Sequence, residues 1–299
     1  MPSDAVAPAQ VTAIVVTHDS APALPGCLEA LRVAGVPALV VDNASEDGSA
    51  AVAERSGARV IRNPRNEGYG RANNIGARAV ESAFLLICNP DVRVEPGSIA
   101  ELLEAARRYP DAGFFAPRIV EPSGRVFFQP RSLLAPYLRN PAGPLVLPEG
   151  DACVPFASGA CFLIRRDLFL RLGGFDERIF LFYEDDDLCR RIAEAGAALI
   201  YVPTAVVRHG RGRSSTPKRG RIYKSRWHQA WSRAYVSRKY GLPSPAPGMA
   251  VANAVKALGA SLLFDRTLVE RYAGSAAGAY AFLRGRTALQ EEGLEEPSR

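Results

Sequence analysis

A chain of 299 residues with 47% hydrophobic and 23% charged side chains can bury one large core, or a main domain with an appendage, which excludes a mainly disordered protein. Its five cysteines (Cys27, Cys88, Cys153, Cys161 and Cys189) are odd in number, scattered and free of any CxxC pair, which argues against a disulfide framework or a zinc cage and fits a reducing cytosol. The formal charge of +6 is unevenly spread: no acidic residue lies between Glu194 and Asp265, while Arg208 to Lys239 is crowded with Arg and Lys and reads as a local cationic surface.

Residues 1–10 have neither the basic nor the apolar region of a secretory signal and are expected to form a tail. From Val11 to Asn89 the pattern alternates. Val11 to Thr17, Ala38 to Asp42, Arg59 to Arg62 and Phe84 to Cys88 are apolar, largely β-branched runs, as in strands of a parallel sheet covered on both faces. Leu24 to Ala34, Ser49 to Ser56 and Tyr69 to Glu81 have helical period between them, giving a βαβαβαβ order. After Asp111 the strands AGFFAPRIV and RVFF are expected, then a Pro-rich connection from Pro130 to Asp151, the strand ASGACFLIRR, and a helix from EDDDLCRRIAEAG ending at Gly196. Ala198 to Val202 and Ala205 to His209 return to strand character. Beyond Ile222 the chain reads as helical, interrupted at GLPSPAPG, with a frayed tail at 291–299. The longest apolar stretch, Met249 to Phe264, contains Asn253 and Lys256 and is shorter than the roughly 20 residues that span a bilayer.

The expected organisation is an α/β catalytic domain at 11–220, with a nucleotide-binding half at 11–91 and an acceptor and catalytic half at 92–220, followed by a helical region at 221–290. In doubly wound sheets ligands bind beyond the carboxyl ends of the strands. The loops there, THDSAP, DNASEDGS, NPRNEGYGRANN and NPDV, are all polar. Neither GxGxxG nor GxxxxGK[ST] follows the first strand, so phosphates must be held without a glycine-rich cradle.

Several carboxylates suggest how. Asp42 ends the second strand, where a carboxylate can accept hydrogen bonds from a base or ribose, although aspartates there more often form turns or cap helices. Asp91 follows the fourth strand in NPDV, where it could carry Mg²⁺ or Mn²⁺ to a diphosphate; Asn-Pro-Asp is also an ordinary turn sequence. Glu184, Asp185, Asp186 and Asp187 crowd one helix start, where Asp187 suits capping and at least one other carboxylate is available for chemistry. His209 ends a strand among arginines and glycines; a lone histidine is usually structural.

Taken in order, IVVTHDS, VVDNASEDGS, RNEGYGRANNIGA, NPDV, SGACFLIRRD, GGFDERIFLFYEDDDLCRR and HGRGRS resemble the family 2 glycosyltransferases of GT-A fold, closest to a bacterial rhamnosyltransferase-like branch, over Val11 to Ser215. The resemblance implies a GT-A, Rossmann-like, mostly parallel sheet with helices on both faces and a C-terminal helical region. It implies that Asp42 contacts the nucleobase, with Thr17, Asn43, Arg71 and Asn89 along the donor; Asn89 stands where a DxD motif has its first Asp. Asp91 and His209 then match metal ligands, and Asp185, beside Glu184, matches the catalytic base. His18 and Asp19 depart from the family's usual Tyr and Asn.

The implied reaction is inverting transfer from dTDP-rhamnose, or otherwise a UDP-sugar, to a hydroxyl of a glycan or lipid-linked acceptor in envelope polysaccharide synthesis. The competing readings are an inactive sugar-nucleotide-binding protein of the same fold and a sugar-phosphate nucleotidylyltransferase. The latter should carry a Gly-rich, Arg-containing loop where THDSAP stands. A cytoplasmic location is expected, with contact to an anionic membrane through Arg208 to Lys239 in view; nucleic acid is the less favoured partner of that stretch, and a homodimer is a further expectation.

Overall fold

The computed structural model describes residues 10–129, 132–134, 147–210 and 220–296. The chain folds into two compact units: the first takes the described residues of Met1–Asn66, Ala72–Gly174 and Cys189–Thr216, the second those of Glu67–Arg71, Phe175–Leu188 and Pro217–Arg299. Two segments expected in the sheet domain, 67–71 and 175–188, thus group with the C-terminal helices.

The first unit is built on one sheet. In chain order its elements begin β1 (Val11–Thr17), α1 (Leu24–Val33), β2 (Ala38–Asp42), α2 (Ser49–Arg55), β3 (Arg59–Arg62), α3 (Tyr69–Arg78) and β4 (Phe84–Cys88). β5 (Val92–Val94), α4 (Ser98–Arg108), β6 (Ala112–Val120), β7 (Val126–Phe127), β8 (Ala152–Cys153), β9 (Cys161–Arg165) and α5 (Arg166–Arg171) follow, then α6 (Glu184–Glu194), whose residues up to Leu188 group with the second unit, and β10 (Ala198–His209). The strand order is β3-β2-β1-β4-β9-β6-β10-β5, with β7 on β6 and β8 on β10. Strands β1 to β4 are mutually parallel, whereas β9 runs antiparallel to both β4 and β6, so the second half of the sheet is mixed.

Continuous apolar runs make the central strands because both faces are covered. On one face Ala13, Val15, Val40 and Leu86 join Leu24, Leu28 and Leu31 of α1 and Leu102 and Ala105 of α4 in a single core. The helical residues recur at three- and four-residue spacing, so each helix buries one stripe. On the other face a Cβ at Gly76 would lie 2.5 Å from Ile14 Cγ2, so α3 sits backbone-close on β1. Phe114 and Phe162 stack there at 4.3 Å. The sequence suggested two strands at 198–202 and 205–209; they are one strand with a register shift between Val202 and Val206. Pro203 lies in that gap and has no N–H for a ladder bond.

The second unit contains α7 (Arg221–Lys239), α8 (Ala246–Leu262), α9 (Arg266–Leu283) and α10 (Ala288–Glu291). Helices α7 and α9 approach closely because Gly274 and Gly278 lack side chains: a Cβ on either would lie 2.3 or 2.1 Å from the carbonyl oxygens of Tyr223 and Trp227. The expected tail is corrected at its start. Leu294 is buried and Glu292 pairs with His228 at 2.9 Å, so the chain stays packed past α10, while 297–299 lie outside the described residues. Most of the expected Pro130 to Asp151 connection, and residues 1–9 of the N-terminal tail, also lie outside them.

Candidate active site

The topology places a switch point at β1, which has β2 on one side and β4 on the other. Thr17 and Asp42 are register partners at the carboxyl ends of β1 and β2. Asn43 N donates to Thr17 O at 2.8 Å and Asn63 N to Asp42 O at 2.8 Å, which locks the three strand ends together. The Asn43 side chain is buried and bridged, its Oδ1 accepting from Asn63 Nδ2 and its Nδ2 donating to Asn66 Oδ1, both at 2.9 Å. Against this scaffold, Thr17 Oγ1 and Asp42 Oδ1 are buried with no hydrogen-bond partner; Asp42 Oδ2 receives only Ser45 N at 3.4 Å. Unpaired buried oxygens cost free energy unless a ligand completes them. Thr17 was expected along the donor through its backbone, whereas Asn63 and Asn66 carried no individual signal in the sequence beyond the polar NPRNEG loop that holds them.

His18 and Asp19, the two departures from the family pattern, brace these loops. His18 Nδ1 meets Asn43 O at 2.9 Å; Asp19, at φ +54°, accepts from Glu46 N at 2.8 Å and donates its own N–H to Ser45 Oγ at 3.0 Å.

Asp91 and His209 stand 118 residues apart, and strand pairing unites them. β5 pairs antiparallel with β10, His209 opposite Val92, and Gly210 N donates to Asp91 O at 3.0 Å. The His209 Nε2 to Asp91 Oδ1 distance is 3.3 Å. The Asp91 side chain is only 2% exposed, yet neither of its oxygens accepts a hydrogen bond. A buried carboxylate that accepts no hydrogen bond, with a neighbouring imidazole, has the donor chemistry that could hold a hard cation. A Cβ at Gly210 would lie 3.3 Å from Asp91 Oδ2, so glycine there leaves the carboxylate uncrowded. Among the described residues no cluster of three His, Cys, Asp or Glu ligands occurs, so any cation held here would take further ligands from a diphosphate or water. Asn89 begins the same loop, its N–H bonded to Ala160 O at 2.9 Å.

The remaining candidates belong to the second unit. Phe182 and Tyr183 have φ of +68° and +66°, a conformation bulky L-residues rarely adopt, and they lead directly into α6. This strained turn, which no sequence signal announced, aims Glu184 and Asp185 from the helix start. Glu184 is buried with Oε2 unpaired, and burial together with the neighbouring Asp185 charge pushes its carboxyl well above the usual range. Asp185 is half-buried and its Oδ1 accepts from Asp186 N at 3.0 Å. Arg71 lies in an acidic setting, 3.5 Å from Glu67 and 3.9 Å from Glu177, and donates to Glu295 O at 3.2 Å.

The described part of the cationic stretch is not a uniform basic face. Arg208 pairs with Glu95 at 2.5 Å, Lys224 with Glu292 at 3.2 Å, and Lys239 with Asp176 at 2.7 Å; residues 211–219 lie outside the described set.

The model of the family described as "Glycosyl transferase family 2" matches residues 12–173, more than half of the chain. The chain belongs to glycosyltransferase family 2. It is 36% identical over 234 residues to the N-acetylglucosaminyl-diphospho-decaprenol L-rhamnosyltransferase of Mycobacterium tuberculosis (strain ATCC 25618 / H37Rv), covering 68% of this chain and 76% of that protein. It is 25% identical over 189 residues to rhamnosyltransferase WbbL of Escherichia coli K12, covering 58% and 71%. A mannosyltransferase from Pyrobaculum calidifontis, solved with GDP-Man and Mn²⁺, superposes with a TM-score of 0.56 at 20% identity over 93% of this chain and 90% of that one, a likeness of fold. Membership in a glycosyltransferase family, with rhamnosyltransferases among its relatives, sets aside both the nucleotidylyltransferase and the non-catalytic readings. The GT-A expectation for the fold is met, with helices following the mixed sheet.

Proposed function

We propose that this glycosyltransferase is an inverting rhamnosyltransferase that takes L-rhamnose from dTDP-rhamnose and delivers it to a lipid-diphosphate-linked sugar. The reading of donor and acceptor rests on the relative from M. tuberculosis, whose name states both the rhamnosyl group and a polyprenyl diphosphate acceptor. The observation that carries the site assignment is the buried, donor-free carboxylate of Asp91 beside His209.

In this reading the unpaired Thr17 Oγ1 and Asp42 Oδ1 receive the nucleoside, with Asn43 fixing the loop and Asn89 and Arg71 lying along the donor. Asp91 and His209 would hold Mg²⁺ or Mn²⁺, which supplies Lewis-acid neutralisation of the departing diphosphate. Asp185 takes the proton of the acceptor hydroxyl as that oxygen bonds to the anomeric carbon from the face opposite the leaving group. Glu184, held neutral by burial, keeps a second negative charge from competing beside it.

A panel of dTDP-, UDP- and GDP-sugars, each with Mn²⁺, Mg²⁺ or chelator, tests this by release of nucleoside diphosphate in the presence of a lipid-diphosphate N-acetylglucosamine acceptor. Fastest release from dTDP-rhamnose, abolished by chelator, is expected; metal-independent turnover, or preference for a UDP-hexose, contradicts it.

A lipid acceptor calls for a surface that meets a bilayer, and α8 offers one. Val251, Val255, Leu258 and Leu262 follow one helix face and are 64–80% exposed, and the row continues into Leu263 at 77% and Phe264 at 91%. Lys256 and Arg266 flank this row, and Asp265 is occupied capping α9. No helix among the described residues is long and apolar enough to cross a membrane. The enzyme is therefore proposed to sit peripherally on the cytoplasmic leaflet through α8, rather than through the cationic stretch as a whole. Flotation with anionic liposomes is expected for the wild type; a soluble dimer that ignores liposomes would assign the face to a second copy instead.

A further inference from the structure

Helix α7 presents His228, Ser232, Tyr235 and Lys239 at spacings of four, three and four, which puts them on one face. Each engages the segment 176–187. The His228 ring stacks on Phe180 with centroids 4.5 Å apart, and Ser232 Oγ donates to Leu181 O at 2.9 Å. Tyr235 OH and Lys239 Nζ donate to Asp176 Oδ2 at 2.9 and 2.7 Å. Lys239 Nζ also donates to Asp187 Oδ1 at 2.5 Å, where Tyr240 OH adds a bond of 2.9 Å.

These bonds grip both ends of the Phe182–Tyr183 turn: Leu181 O before it, and the fully buried Asp187 carboxylate after Asp185. Left-handed backbone at two successive bulky residues persists only where surrounding contacts over-determine it. A buried carboxylate likewise needs its paired cation.

We propose that Ser232, Lys239 and Tyr240 are positioning residues for the transfer reaction, clamping the strained turn so that α6 presents Asp185 in reactive geometry. The inference rests on the reading of Asp185 as the base. It gives the C-terminal helical region a part in catalysis, and it explains why the side chain of Lys239, counted from the sequence as surface charge, is only 29% exposed and pairs with two carboxylates. Asp176, which burial alone would push up, is held below the usual carboxylate range by the hydrogen bond and charge of Lys239, consistent with a maintained ion pair.

The test is steady-state transfer from dTDP-rhamnose to a lipid-diphosphate N-acetylglucosamine acceptor by full-length Lys239→Met, Lys239→Arg, Ser232→Ala and Tyr240→Phe, with Asp185→Asn alongside. Misplacing a catalytic group by about 1 Å costs about 10²-fold. Lys239→Met is therefore expected to lower kcat by about 10²-fold with donor KM within about twofold, and Lys239→Arg to recover about tenfold of that loss. Ser232→Ala, which removes one neutral hydrogen bond, and Tyr240→Phe, which removes one bond to the Asp187 carboxylate, are expected to lower kcat about two- to tenfold. A purely structural clamp would lower stability and leave kcat per folded enzyme unchanged, and that result overturns the proposal. If Lys239→Met does not fold, wild-type kcat in both Ser232→Ala and Tyr240→Phe overturns it equally. Wild-type turnover by Asp185→Asn would sink the base assignment itself, whereas an inactive Asp185→Asn with fully active clamp variants would sink the clamp alone.

Discussion

The strand-edge site and the α6 carboxylates are built by opposite means. Regular pairing creates the first: Thr17 faces Asp42 across β1 and β2, and His209 reaches Asp91 because β10 runs antiparallel to β5. Departure from regularity creates the second: a turn with positive φ at Phe182 and Tyr183 delivers Glu184 and Asp185, and α7 holds it in place. The proposed ligand-binding groups thus rest on regular strand pairing, whereas the proposed base depends on contacts from a chain segment tens of residues away.

If the contrast is right, damage at the strand edge should abolish function without loosening the fold. Asp91→Asn is expected to lower turnover on the order of 10³-fold, about 4 kcal/mol of transition-state charge stabilisation. It should not lower the melting temperature, because the carboxylate has no hydrogen bond to lose. A large loss of stability with turnover retained would place Asp91 in the fold rather than the chemistry.

At the strained turn the effects should fall on stability as well as on turnover. Gly68 sits at φ +83°, and an added Cβ would lie 2.5 Å from Phe180 O, so Gly68→Ala should cost about 1–3 kcal/mol by thermal melting. Glu184 gives a pH signature. Its pKa is raised in the folded chain, so the folded state holds the proton more tightly and stability falls as pH rises from the unfolded value of about 4.3 toward the folded value. Glu184→Gln removes that decline, and its melting temperature should gain on wild type with rising pH across that window. Parallel curves would show that Glu184 is not held neutral.

The smallest effect belongs to α8. Leu262→Ser with Phe264→Ser should change melting temperature and transfer to a soluble acceptor little, within about 0.5 kcal/mol, because both side chains are at least 80% exposed. Liposome flotation should nevertheless drop.

Much of the first site was legible in the sequence because period and strand-end chemistry are local signals. The four N-terminal strands begin and end where their apolar runs do, and Asp42 and Asp91 stood out at strand ends. What escaped was long-range or conformational. Nothing local in VRV announces that β5 pairs with β10 and so unites Asp91 with His209. Nothing in FYEDDD announces positive φ at Phe182 and Tyr183, since propensity disfavours it there. The helix α4 does carry a local signal, with Ile99, Leu102, Ala105 and Ala106 at helical spacing, whereas the two-residue β8 carries no period. In the charge run Arg208 to Lys239, the partners of Arg208, Lys224 and Lys239 (Glu95, Glu292, Asp176 and Asp187) are distant in sequence and so carry no local signal.

The central claim divides binding from proton transfer between Asp42, Asp91 and His209 on one side and Asp185 on the other. Asp185→Asn tests it most directly, by dTDP-rhamnose affinity from calorimetry together with single-turnover transfer. The account predicts unchanged affinity and turnover lower by at least about 10²-fold. Turnover near wild type, or loss of donor affinity in step with turnover, would contradict it.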